Sequence, residues 1–139
     1  MGNLVVEVPN RSGVIKMIER VLRTQINDEN RLVSSYRGMV LQVDVDTKSP
    51  LVIIKLGKTI PSRDGGEEEK ILNEFNTVSV LGTHLIYNLK ENLRCYTYRA
   101  PCWVDEQVTE TAFREFLDRS FDEALNCWGK LYKVSEIRG

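Results

Sequence analysis

Met39-Val40-Leu41-Gln42-Val43-Asp44-Val45-Asp46, followed by Thr47-Lys48-Ser49-Pro50 and then Leu51-Val52-Ile53-Ile54-Lys55-Leu56, is the stretch on which the fold turns. Met39, Leu41, Val43 and Val45 alternate with Val40, Gln42, Asp44 and Asp46, the period of a strand with one buried face. Thr47 to Pro50 supplies a turn. Leu51 to Leu56 is apolar on both faces except at Lys55. That pattern predicts a central strand, or one whose second face meets a partner. A connection this short predicts antiparallel pairing, because a parallel crossover needs about a dozen residues or more.

Working outward, Leu32 to Tyr36 reads as a further short strand, with Arg37-Gly38 as its turn into Met39. Before it, Val14, Ile15, Ile18, Val21, Leu22 and Ile26 recur with helical spacing, and Ser12 is a candidate cap for a helix to about Ile26. Past Pro61-Ser62-Arg63-Asp64-Gly65-Gly66, the loosest stretch, Glu67, Glu68 and Glu69 suit the first turn of a second helix. Ile71, Leu72, Phe75 and Val78 would be its apolar side. A second hairpin runs from Gly82 through Leu85, Ile86 and Tyr87, turns near Asn88 to Asn92, and returns as Leu93 to Arg99, with Pro101 stopping it. Thr109 caps the final helix, whose inner stripe is Ala112, Phe113, Phe116, Leu117, Phe121, Ala124, Leu125, Trp128, Leu131 and Tyr132. Gly129 is where that helix would end or bend. The expected class is α+β: two layers, a five-stranded antiparallel sheet packed against helices, in the order α-β-β-β-α-β-β-α.

At 139 residues and 16.0 kDa, the chain reads as one domain over residues 1–139, with an ordered core over about 12–133. The formal charge of −1 gives no bulk attraction to nucleic acid or anionic lipid. No apolar run approaches the roughly 20 residues that span a bilayer, and Met1 to Pro9 lacks the cationic start of a signal peptide. Cys95, Cys102 and Cys127 are odd in number and form no CxxC pair, which argues against a disulfide framework or zinc ribbon. Reduced thiols in the cytoplasm are the simpler expectation.

Chemical motifs are few. Gly57-Lys58-Thr59 resembles the end of a P-loop, but Val52 stands where that motif needs glycine, so a strand end is the better reading. Gly65-Gly66 before a helix is a turn. Asp44 and Asp46, with Asp64 and Glu67 to Glu69, are candidate acid–base or magnesium carboxylates, yet they also fit a strand's polar half and a helix start. Cys102, the cysteine most expected to be exposed, and His84, the single histidine, are a candidate thiol–base pair. Arg94, Tyr96, Tyr98 and Arg99 mix cations and rings on one strand, as an RNA-binding sheet does, although tyrosine and threonine are also ordinary strand residues. From this the expectation is no catalytic residue, no cofactor and no metal.

In the order and spacing of its elements the chain resembles the type III secretion chaperone-like superfamily, in particular its YbjN-like branch of bacterial proteins. The likeness covers about residues 12 to 133. It runs through the first helix, the meander, the second helix ending Leu72-Asn73-Glu74-Phe75-Asn76, the Gly82 hairpin, the Tyr98-Arg99-Ala100-Pro101 exit and the long closing helix. The resemblance implies a homodimer without enzymatic activity. Secretion chaperones hold an extended effector segment on apolar grooves, and YbjN-like proteins are associated with regulation and stress responses. At residue level, Val52, Ile54 and Leu56 face the core while Leu51 and Ile53 face away, and Tyr96 and Tyr98 share one face of their strand. Leu51, Ile53, Tyr96 and Tyr98 are therefore the expected partner-binding strip, suited to a second copy or a client polypeptide. The alternatives are a single-stranded RNA module using the strand aromatics and arginines, and a small enzyme with an acidic or cysteine site.

Overall fold

Alternation in the central meander builds three strands, β1 (Arg31–Tyr36), β2 (Met39–Val45) and β3 (Leu51–Pro61), paired antiparallel in succession. The structure, a computed structural model, describes residues 11–46, 48–61, 66–90, 93–104 and 108–138. The β1–β2 link is a two-residue turn with positive φ at both positions, Arg37 (50°) and Gly38 (87°), whose backbone twist matches that of the flanking strands. Two further strands, β4 (Thr83–Lys90) and β5 (Leu93–Trp103), complete one sheet in the order β1-β2-β3-β5-β4. β3 thus lies in the middle, as its doubly apolar sequence requires.

Three helices, α1 (Arg11–Leu22), α2 (Gly66–Val78) and α3 (Glu110–Arg138), pack on one face of the sheet. The fold class and element order are those expected from the sequence. α3 lies against β3 and β5, and α1 and α2 both contact it. Ile18, Leu41, Val43, Ile54, Leu56, Tyr96, Tyr98, Phe113, Leu117 and Leu131 are all at or near zero exposure between the layers. Each fully buried large apolar side chain contributes about 1.5–3 kcal/mol.

Several boundaries differ from expectation, each for a local reason. α1 stops at Leu22 instead of Ile26, because Arg23 takes a left-handed φ of 54° and the Glu19 carboxylate accepts the Ile26 amide at 2.8 Å. Ser12 lies inside that helix and is not its cap. β3 runs on through Gly57-Lys58-Thr59 to Pro61, so that segment is paired strand and not a strand end. β5 passes through Pro101 to Trp103. The outward-facing amide of His84 donates to Asn76, so the backbone of β4 turns towards β5 at Thr83 and Leu85. By alternation Pro101 turns to the same side, where β4 has already ended, and its missing N–H removes no ladder bond. Thr109 caps α3 as expected, its Oγ1 accepting the Ala112 amide at 3.0 Å. That helix continues through Gly129 to Arg138, about 43 Å. Val78, Ala112, Leu125 and Tyr132 leave their expected apolar stripes and are exposed, Val78 at 72%.

Candidate functional site

Since all three helices of the described residues occupy one side, the other side of the sheet carries no helix among the described residues. Its side chains are the odd-numbered residues of β1, β3, β4 and β5 and the even-numbered residues of β2, brought into rows by register. Leu51 lies opposite Trp103, and Ile53 opposite Pro101. These four form an apolar corner in which Trp103 is 59% exposed. The next row runs Val33, Gln42, Lys55, Arg99, Thr83, and the one beyond it Ser35, Val40, Gly57, Thr97, Leu85. Val33 and Val40 are each 57% exposed, and Tyr87 on β4 is also exposed. Arg31 donates to Asp44 at 2.7 Å across β1 and β2. Burial raises the Asp44 carboxyl, but hydrogen bonds from Arg31 and Gln42 outweigh it and hold the group below its ordinary value.

The register corrects the expected strip. Leu51 and Ile53 do face away from the helices, but Tyr98 pairs with Leu56 and is on the core face with Tyr96, both at 0% exposure. Tyr96 and Tyr98 therefore cannot line an exposed strip with Leu51 and Ile53. Pro101 and Trp103 take their place. The sequence reading missed both because it ended β5 at Pro101; carrying the alternation on from Arg99 would have found them.

The two tyrosines belong to a polar cluster inside the helical layer. Tyr96 Oη lies 2.6 Å from His84 Nδ1, and the His84 ring contacts Phe75, Tyr96 and Tyr98. Asn76 brackets His84 from α2, accepting its amide at 2.7 Å and donating to its carbonyl at 3.0 Å. Tyr98 Oη donates to Glu123 of α3 at 2.5 Å. The same carboxylate accepts Ser79 Oγ, the Val80 amide and the Leu81 amide, which ties α3 to the α2–β4 connection. Burial pushes both tyrosine hydroxyls well above their ordinary value and pushes His84 down. Burial works against the Glu123 charge, yet Tyr98 and the Ser79–Leu81 donors hold it below the ordinary carboxyl value. Every partner here is internal, so the cluster acts as a structural brace.

No protein-family model matches the chain, and no curated protein matches it. Solved structures do. YbjN from E. coli, a proposed transcription regulator, superposes with a TM-score of 0.64 at 12% identity, covering 96% of this chain and 97% of that one. A chain of the HopA1–SchA chaperone–effector complex gives 0.56 at 8% identity over 88% and 92%. The Yersinia pestis type III secretion chaperone SycH, in complex with a stable fragment of YscM2, gives 0.53 at 10% over 82% and 98%. The fold is that of YbjN and the type III secretion chaperones.

Within this chaperone-like fold the remaining sequence candidates are dispersed. Cys102 pairs with Val52 at one end of β5, whereas His84 pairs with Tyr98 further along, so the thiol–base pair does not form. Burial pushes the Cys102 thiol up to about 11 and that of Cys127 to about 12, away from thiolate chemistry. Asp44 is engaged by Arg31, and Asp46 accepts from Ser49. Glu68 is buried against Arg94, while Asp64 lies outside the described residues. Among the described residues no group of three or more His, Cys, Asp or Glu could hold a metal ion. The RNA platform weighed as an alternative is split as well: Tyr96 and Tyr98 are buried, Arg94 pairs with Glu68, and Arg99 is on the opposite face. Among the described residues no helix is long and apolar enough to cross a membrane.

Proposed function

We propose that this chain is a non-enzymatic, chaperone-like or regulatory protein of bacteria, working in the cytoplasm as a homodimeric single domain that grips another polypeptide by shape and apolar contact. The observation that carries this is the sheet face that no helix of the described residues covers, with its corner of Leu51, Ile53, Pro101 and Trp103. Large apolar side chains left together on a surface mark an interaction site. The likeness of fold to chaperones solved with effector or protein fragments bound supports the same reading.

The test is to capture partners from the native cell with the wild type and with Ile53→Asp and Trp103→Asp, and to measure the mass of each purified protein by sedimentation. The expected result is a dimeric wild type and loss of the partner in both variants, with far-UV circular dichroism unchanged. A strict monomer, or undiminished capture by the variants, would count against the proposal.

A further inference from the structure

The centre of the helix-free face holds two cations directly opposite each other. Lys55 of β3 and Arg99 of β5 are register partners, in a row that continues to Gln42 on one side and Thr83 on the other. Like charges in that relation destabilise a sheet. The nearby Asp44 carboxylate offsets the repulsion only in part, because it serves Arg31 as well as Lys55. Asp44 accepts from Arg31 at 2.7 Å and Gln42 at 2.9 Å, and lies 3.9 Å from Lys55 Nζ. Arg99 is exposed and has no ion-pair partner among the described residues.

Apolar groups flank this cationic row on both sides. Ile53 and Pro101 stand two residues along the strands in one direction. In the other, Gly57, which has no side chain, lies between Val40 and Thr97, with Leu85 beyond Thr97. Rows two residues apart are about 6.7 Å from one another, which is also the spacing of alternate side chains in an extended peptide.

Resting on the function proposed above, we infer that the partner segment is extended and acidic: a carboxylate with an apolar residue two positions to either side. The carboxylate is seated between Lys55 and Arg99, one apolar side chain on Ile53 and Pro101, and the other over Gly57 against Val40. A second copy is the poorer occupant, because a two-fold face-to-face dimer brings this cationic centre towards its own image.

Three probes test this by fluorescence anisotropy: a soluble peptide with a leucine-serine-glutamate-serine-leucine centre, its counterpart with lysine for glutamate, and an oligouridylate. The glutamate peptide should bind about tenfold more tightly than the lysine peptide, the gap that gaining rather than opposing two exposed charge pairs supplies. Arg99→Thr should cut that preference to about threefold, since Lys55 remains, and raise the urea midpoint of the free protein. Ile53→Asp should weaken both peptides. A preference undiminished in Arg99→Thr, or equal binding of the lysine peptide by the wild type, overturns the inference while leaving the proposed face intact. Arg99-dependent capture of oligouridylate in preference to the glutamate peptide overturns it in favour of nucleic acid. A fall in oligomeric mass in Arg99→Thr overturns it in favour of a self-interface. Indifference of every probe to Ile53→Asp removes the face itself, and the function proposed above with it.

Discussion

Glu123 is the residue whose removal best tests how this fold is braced. Its carboxylate accepts Tyr98 Oη at 2.5 Å, Ser79 Oγ at 2.8 Å, the Val80 amide at 2.9 Å and the Leu81 amide at 3.3 Å. In Glu123→Ala these four donors lose their acceptor, but not at equal cost. The exposed Val80 amide finds water, so its loss contributes little. Tyr98 is fully buried, and a stranded buried hydroxyl costs about 1–3 kcal/mol. The half-buried Ser79 and Leu81 donors add about 1 kcal/mol together, since hydration makes good part of their loss. The expected total is about 3 kcal/mol, a large share of the 5–15 kcal/mol typical of a domain. Urea unfolding followed by tryptophan emission should show a lower midpoint with an unchanged slope. Tyr98→Phe removes the stranded hydroxyl, so Glu123→Ala should cost roughly 1–2 kcal/mol less in that background. Additive single and double variants would refute the argument, because they would mean that the two groups do not support each other.

Stability should also fall on mild acidification. Burial holds His84 below its ordinary value of 6.5, so just under that pH the unfolded chain takes up a proton that the folded protein refuses. The loss begins as pH drops through about 6.5 and continues down to the folded value, at no more than about 1.4 kcal/mol per pH unit. His84→Gln should flatten this limb in urea titrations at a series of pH values. Two glycines should respond oppositely to alanine. At Gly82 a Cβ would lie 2.5 Å from the Arg99 carbonyl oxygen and 2.6 Å from the Tyr98 ring, so Gly82→Ala should cost about 1–3 kcal/mol. At Gly129, inside α3, a Cβ meets nothing within 4 Å, and Gly129→Ala should raise stability by up to about 1 kcal/mol. Cys127, at 0% exposure and with its thiol pushed up to about 12, should resist thiol reagents in the native protein and react only as the fold opens; rapid native labelling would contradict that placement.

What the chain determines alone is local. The alternation from Met39 to Val45, the doubly apolar run from Leu51 to Leu56 and the Thr109 cap specify strand, central strand and helix start, because each depends on neighbours a few residues away. Those patterns fix the element order, and they fix which residues within one strand share a side. Which side faces water is another matter. Tyr96 and Tyr98 read as readily for the outer face as for the inner, until the pairing of Leu56 with Tyr98 places them in the core. A shift of one residue in that pairing would exchange the two faces of β5. The opposed Lys55 and Arg99, the corner of Ile53, Pro101 and Trp103, and the Glu123 brace likewise join residues far apart in the chain. Tertiary structure alone decided these, because register is set by the packing of the whole layer and not by any one strand.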